Sequence, residues 1–160
     1  VDIIMCESMS SIFEGRNASR VAKEFSERVW LSWTNRGHQP DQLPSTEALS
    51  KAVDFSIEAD VECTLINCSH ADMASNSIKE LKRASRFGIF ANSSTFKEVD
   101  LSVATKDVDA IHHLNSEEIS AKEYAMIALS WAKEGAFVVG GCCGTTVEHT
   151  REIKLLMDSL

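Results

Sequence analysis

Short apolar runs alternate along the chain with longer segments in which apolar residues recur at helical spacing. The apolar runs are predicted to form strands at residues 1–6, 29–34, 61–67, 88–91 and 136–139. Helices are predicted at about 12–25, 46–59, 70–85 and 121–134, and from about 146 to the end of the chain. This alternation predicts an α/β fold with parallel strands and crossover helices, either doubly wound or part of a barrel.

Helix starts carry recognisable capping residues. The spacing of a capping box occurs at Ser11–Glu14, Ser120–Glu123 and Thr145–Glu148. Ser69 is predicted to be the N-cap of the helix after the third strand. His70 then either supports the ligand position next to it or, as favoured here, lies on the surface at the start of that helix.

Residues 92–118 form a polar segment without clear periodicity. A segment of this length inside a compact domain is typical of a functional loop or a disordered one. It contains His112 and His113, which are interpreted as an exposed pair because no third ligand stands at metal-binding spacing.

Side chains with carboxylate, thiol or amide groups directly follow several of the predicted strands. Parallel strands bring their carboxyl ends to one edge of a sheet. Glu7, Cys68 and Asn92 each come after an apolar run, and Cys142 and Cys143 follow the last one. We therefore expect these side chains to share one rim of the sheet.

The adjacent pair Cys142 and Cys143 is open to three interpretations. Two small buried residues would fit, since free cysteine packs as a small hydrophobe. A disulfide between neighbours is disfavoured, because adjacent Cα atoms lie ~3.8 Å apart, below the usual range for a bridge. A metal site is favoured, because two thiolates at ~2.3 Å from Zn²⁺ have sulfurs just under ~4 Å apart. Cys68 is the best third ligand, whereas Cys6 and Cys63 lie within strands and are interpreted as core.

Composition narrows the classes of function. The chain has 160 residues, which suits one domain, and a net charge of −8, which argues against a nucleic-acid or anionic-membrane partner. Five cysteines without the spacing of a disulfide framework indicate a reducing compartment, so we expect a cytoplasmic protein. No transmembrane run, signal peptide or glycine-rich phosphate loop is recognisable.

The cysteine motifs resemble those of the homocysteine S-methyltransferase family. Gly-Gly-Cys-Cys-Gly-Thr-Thr-Val-Glu-His at 140–149, with Ile-Asn-Cys at 66–68, carries the resemblance, and weaker similarity runs along the whole chain. Departures from the family pattern are Ser8 for threonine, Ala91 and Val147 for proline, and Gly144 for an arginine that many members have.

The resemblance implies a fold and a site. The family fold is a (β/α)₈ TIM barrel, and residues 1–160 correspond to its C-terminal portion, from about the fourth strand to the eighth, without the N-terminal strands. It implies Zn²⁺ held by Cys68, Cys142 and Cys143. It further implies that Glu7 binds the amino group of homocysteine and that Asn92 lies near the zinc or the amino acid.

The function implied is methyl transfer from a cationic donor, such as S-methylmethionine, S-adenosylmethionine or betaine, to the thiol of homocysteine, which gives methionine. Two alternatives stay open: a non-catalytic fragment that only binds zinc through its thiols, and a redox protein that uses Cys142 and Cys143. Because an incomplete barrel exposes strand edges, the partner expected besides the substrates is the missing N-terminal segment or a second copy of the chain.

Overall fold

The computed structural model describes residues 1–96 and 116–159, which form seven strands and six helices numbered here in chain order. The strands are β1 (Ile4–Met9), β2 (Val29–Trp33), β3 (Cys63–His70), β4 (Phe87–Asn92), β5 (Ser94–Phe96), β6 (Ser116–Glu118) and β7 (Val138–Gly141). The helices are α1 (Ile12–Ala22), α2 (Leu49–Glu58), α3 (Ala71–Asn76), α4 (Ile78–Leu81), α5 (Ala121–Lys133) and α6 (Val147–Met157).

Five of the strands form one sheet in the order β1-β2-β3-β4-β7, and every neighbouring pair is parallel. Each strand pairs with the next main strand along the chain, and the order never reverses. A doubly wound sheet requires a reversal, so this order is that of a barrel wall. The prediction of an α/β fold with a parallel sheet is confirmed.

The core lies between the sheet and its helices, and Trp33 is among its largest fully buried side chains. Trp33 is fully buried, and its Nε1 donates a hydrogen bond to Ser56 Oγ on α2 at 3.0 Å. Gly15 gives α1 room to approach this ring, because a Cβ there would lie 2.4 Å from Trp33 Cη2. The glycine costs helix propensity but permits close packing of α1 on the sheet.

Two predicted N-caps are wrong. Strand β3 continues to His70, the helix begins at Ala71, and Ser69 Oγ instead accepts a hydrogen bond from the Asn35 N–H. His70 is buried rather than on the surface, and its Nδ1 lies 3.0 Å from Ser94 Oγ. Tertiary hydrogen bonds at the strand end have overridden the local capping signal.

At the start of α6 the capping box lies one residue later than predicted. Thr146 is the N-cap, and the side chain of His149, rather than that of Glu148, accepts from its backbone N–H. Thr145 Oγ1 instead donates to the carbonyl of Cys142 at 2.7 Å. The predicted box at Ser120–Glu123 is confirmed.

Ser11 caps α1 by accepting from the Glu14 N–H, whereas the Glu14 carboxylate accepts from Ser10. Part of the predicted polar segment forms the antiparallel pair β5–β6. His112 and His113 lie outside the described residues. Among the helices at 1–96 and 116–159, none combines the length and apolar character needed to cross a membrane.

Candidate metal centre

Three thiols meet at the carboxyl rim of the sheet. Cys68 Sγ lies 3.0 Å from Cys142 Sγ and 3.5 Å from Cys143 Sγ, and all three sulfurs fall within 4.8 Å of one another. Cys68 and Cys142 are half-buried and Cys143 is exposed. Thiolates that share a tetrahedral zinc ion at ~2.3 Å have sulfurs a little under ~4 Å apart. This donor set therefore fits zinc in its chemistry, and the Cys68 sulfur lies slightly closer to the other two than a shared ion would hold it.

A tight turn after β7 presents the adjacent cysteines. The Cys142 N–H donates to the Ala91 carbonyl at 2.8 Å, which extends the pairing with β4 past the last strand residue. Gly144 has φ +77°, and a Cβ there would lie 2.5 Å from Ser93 Oγ, so both conformation and space favour glycine. The turn thereby directs both sulfurs toward the end of β3.

Asn92 holds this turn from the neighbouring strand. Its Oδ1 accepts from the Cys143 N–H at 3.1 Å, and the Ser93 N–H donates to the Cys143 carbonyl at 3.0 Å. Asn92 is buried beside the thiols. The structure thus gives its amide a positioning contact, and its predicted role in substrate binding stays a prediction.

The end of β3 adopts a strained conformation that places Cys68. Cys68 has φ +53°, and the β3–β4 register shifts between Asn67 and His70. Ser8 at the end of β1 has φ +58° and lies at a similar register shift. Left-handed conformations of non-glycine residues cost on the order of 1 kcal/mol each and persist where surrounding contacts enforce them.

The side chain of Asn67 supplies those contacts. Its Oδ1 accepts from the Ser8 N–H at 3.0 Å and from Ser32 Oγ at 2.6 Å, and its Nδ2 donates to Ser8 Oγ at 2.8 Å. Glu7, immediately before Ser8, is exposed on the same rim. The structure therefore brings the predicted residues together at one edge, with Glu7 linked to the thiols through Ser8 and Asn67.

Burial and the two neighbouring thiols raise the pKa of the Cys68 thiol to about 12. Without a cation the cluster therefore favours a protonated Cys68 at neutral pH. A bound divalent ion would reverse this preference, because a coordinating thiol is deprotonated.

Tyr124 on α5 contacts the backbone of the two strands that lead to the cysteine turn. Its hydroxyl lies 2.7 Å from the Ala91 carbonyl and 2.8 Å from the Gly140 carbonyl, so it ties β4 to β7 just before the cysteine turn. Burial raises the pKa of Tyr124, which keeps the phenol neutral. From the sequence Tyr124 is only an apolar-face residue. Asn67 carries a clearer signal, because it is an amide at the end of an otherwise apolar run.

A small cavity of about 50 Å³ lies beside Cys68, between the ends of β2, β3 and β4. Its walls are formed by Asn35, Gly37, Cys68, Ser69, His70 and Asn92. This volume is of the order of one water molecule's share of liquid, ~30 Å³, and far below the ~300–1,000 Å³ of ligand pockets. The described residues therefore do not enclose a ligand-sized pocket beside Cys68.

A family model and a curated protein match nearly the whole chain. A family model described as homocysteine S-methyltransferase matches residues 1–157. Homocysteine S-methyltransferase YbgG of Bacillus subtilis (strain 168) is 26% identical over 162 residues, a match that covers 99% of this chain and 48% of that protein.

Solved structures of the homocysteine methyltransferase MmuM from Escherichia coli have the same fold. The apo form aligns with a TM-score of 0.68 and 19% identity, over 97% of this chain and 50% of that one. The metallated form aligns with a TM-score of 0.68 and 19% identity, over 98% and 45%.

A parallel barrel wall with thiols at its carboxyl rim defines a portion of a TIM-barrel protein, as predicted. The chain belongs to the homocysteine S-methyltransferase family. It spans about half the length of the relatives that it matches.

Proposed function

We propose that this chain carries the metal- and homocysteine-binding part of a methyltransferase that makes methionine in the cytoplasm. The donor would be a cationic methyl compound such as S-methylmethionine, S-adenosylmethionine or betaine. The observation that carries the proposal is the convergence of Cys68, Cys142 and Cys143 at one point of the rim.

Cys68, Cys142 and Cys143 would hold Zn²⁺, with three thiolates as the protein ligands. Three protein ligands with a fourth position open to substrate is the pattern of catalytic rather than structural zinc. When bound, the ion would acidify the thiol of homocysteine and keep its sulfur available as a nucleophile near neutral pH.

Residues of the chain would orient the substrate. The exposed Glu7 carboxylate would bind the ammonium group of homocysteine, because a charge-assisted hydrogen bond favours that pairing. Asn92 would hold the Cys142–Cys143 turn and lie next to the bound amino acid. In the reaction, the substrate thiol would lose its proton to solvent and its sulfur would form a new bond to the methyl carbon. The bond from that carbon to the donor's positive sulfur or nitrogen would break, and its electron pair would stay on the donor atom, which leaves without its positive charge.

The first test is the metal content of the purified, reduced chain. We expect about one zinc ion per chain, measured by elemental mass spectrometry, because the three cysteines form a single site. Cys142→Ser should lose the metal, whereas Cys6→Ser should keep it, because Cys6 is half-buried in β1 and is not one of the three clustered thiols. Wild-type chain without zinc, or zinc that persists in Cys142→Ser, would contradict the three-cysteine site.

The second candidate function is a non-catalytic zinc-binding module. It is favoured by the small volume of the cavity beside Cys68 and by the half-length of the chain relative to its relatives. It predicts zinc binding without methyl transfer, even when the rest of a barrel is supplied.

A further inference from the structure

The amide of Asn67 joins the ends of three neighbouring strands. The side chain is 2% exposed and projects from β3 toward Ser32 on β2 and Ser8 on β1. Both acceptor positions of its oxygen are used, and one N–H is donated to Ser8 Oγ. A buried amide with this many partners has one orientation, so it can act as a rigid spacer.

This spacer lies between the two residues that would bind opposite ends of the substrate. Cys68 directly follows Asn67 in the chain. The side chain of Asn67 binds the N–H and the hydroxyl of Ser8, and Ser8 directly follows Glu7. Ser8 and Cys68 both have left-handed backbone conformations, which are uncommon for residues other than glycine and which the hydrogen bonds of Asn67 help to hold at both strand ends. Asn67 therefore sets where Glu7 and Cys68 lie relative to each other.

We propose that Asn67 is a positioning residue that fixes the spacing between the Glu7 carboxylate and the Cys68 sulfur. This spacing selects an aminothiol with the chain length of homocysteine over shorter ones. The inference rests on the proposed function, in which Glu7 binds the ammonium group and the cysteine cluster binds the substrate sulfur.

The test measures binding and needs no turnover. Cobalt(II) replaces zinc, and its thiolate charge-transfer band reports binding of three thiols: homocysteine, cysteine and 4-sulfanylbutanoate, which is homocysteine without its amino group. The ratio of affinities for homocysteine and 4-sulfanylbutanoate measures the contact with the ammonium group. The ratio for homocysteine and cysteine measures the spacing.

Asn67→Ala should lower both ratios about tenfold, the size of one charge-assisted hydrogen bond, and leave 4-sulfanylbutanoate binding within about threefold. Glu7→Gln should lower the amino-group ratio similarly. The double variant should lose no more than either single variant, because the two residues act through one contact. Asn67→Asp keeps the acceptor oxygen and should retain most of the preference.

Ser56→Ala is the matched control. Ser56 is also a buried polar residue with a fully bonded side chain, but its Oγ accepts from Trp33 Nε1 and donates to the Ala52 carbonyl, away from Ser8 and from the cavity beside Cys68. It should lower stability and leave both ratios unchanged. If Asn67→Ala does not bind cobalt, Ser8→Gly is the variant to use instead. It removes the hydroxyl that accepts from Asn67 Nδ2, at a position whose backbone conformation glycine favours, and it should lower both ratios as well.

The results distinguish the role proposed for Asn67 from the proposed function on which it rests. Wild-type ratios in Asn67→Ala or in Ser8→Gly, with a loss in Glu7→Gln, would overturn the role of Asn67 and leave that of Glu7 standing. Additive losses in the double variant would also overturn it. A wild-type amino-group ratio in Glu7→Gln would remove the ammonium-binding role of Glu7 from the proposed function, and this proposal with it.

Discussion

Cys63 occupies a different environment from Cys68 at the rim, although both belong to β3. It is 1% exposed, and burial raises the pKa of its thiol from 9.0 to about 12. The predicted core position of Cys63 is confirmed, whereas Cys6 is half-buried and packs against the core from β1. Two thiols five residues apart on one strand thus have separate roles, one in packing and one at the rim.

The buried Cys63 thiol should make the free energy of unfolding depend on pH. Because its pKa is higher in the folded than in the unfolded chain, its contribution is complete below pH 9 and is lost as the pH rises from 9 toward 12. Urea unfolding of the metal-free chain should show a lower midpoint at pH 10.5 than at pH 8. The fall should be smaller in Cys63→Ala, and an equal fall in both chains would contradict the assignment.

At the scale of elements, α1 illustrates how packing overrides helix propensity. Gly15 is buried against Trp33 at the closest approach of α1 to the sheet. The same glycine would be unfavourable in an exposed helix by about 1 kcal/mol relative to alanine.

Gly15→Ala should therefore destabilise the chain, by ~1–3 kcal/mol from overpacking, despite the better helix former. The new Cβ would lie 2.4 Å from Trp33 Cη2, a contact that the ring must move to relieve. Urea unfolding checks this value against Arg20→Ala, an exposed position on α1 expected to change stability by less than ~0.5 kcal/mol. Stabilisation by Gly15→Ala would show that the ring moves without cost.

The elements were predictable from sequence where local pattern and tertiary context agree. The apolar runs around Leu31, Ile66 and Ile89 gave the strands, and the motif at 140–149 gave the rim. The N-caps of α3 and α6 were misplaced, because both side chains have other partners: Ser69 Oγ accepts from the distant Asn35 N–H, and Thr145 Oγ1 donates to the Cys142 carbonyl within the cysteine turn. The bridging roles of Asn67 and Tyr124 depend on which strands are neighbours, which no local pattern encodes.

At the scale of the whole molecule, apolar side chains are exposed beside both outer strands. In the part of the chain that the structure describes, β1 pairs only with β2, and β7 pairs only with β4. Phe13 on α1 is 76% exposed, and Val147 and Leu155 on α6 are 76% and 59% exposed. Open edges flanked by apolar helix surface are what a barrel wall presents to the units that close it.

We propose that further (β/α) units close the barrel at these edges and complete the substrate site. The N-terminal half of a relative such as YbgG, expressed with this chain, should copurify with it and give homocysteine-dependent methyl transfer. Phe13→Asp should weaken the complex, whereas Met126→Asp, at an exposed position on α5, should not.

Three results would contradict barrel closure by further units as proposed. A complex with zinc but without transfer would support the non-catalytic module. Self-association of this chain alone, measured by light scattering and lost in Phe13→Asp, would favour a second copy as the partner. Equal binding by both variants would show that the α1 surface is not the docking edge.

The thiol cluster also has a topological consequence. Its sulfurs come from positions 74 residues apart, so an ion bound to Cys68 and Cys142 would act as a cross-link that closes a loop through β4, α5 and β7. Closing a long loop in the unfolded chain costs conformational entropy that grows with the logarithm of its length. The concentration of the metal would then set how often the region between Cys68 and Cys142 unfolds, independently of any role of the metal in catalysis.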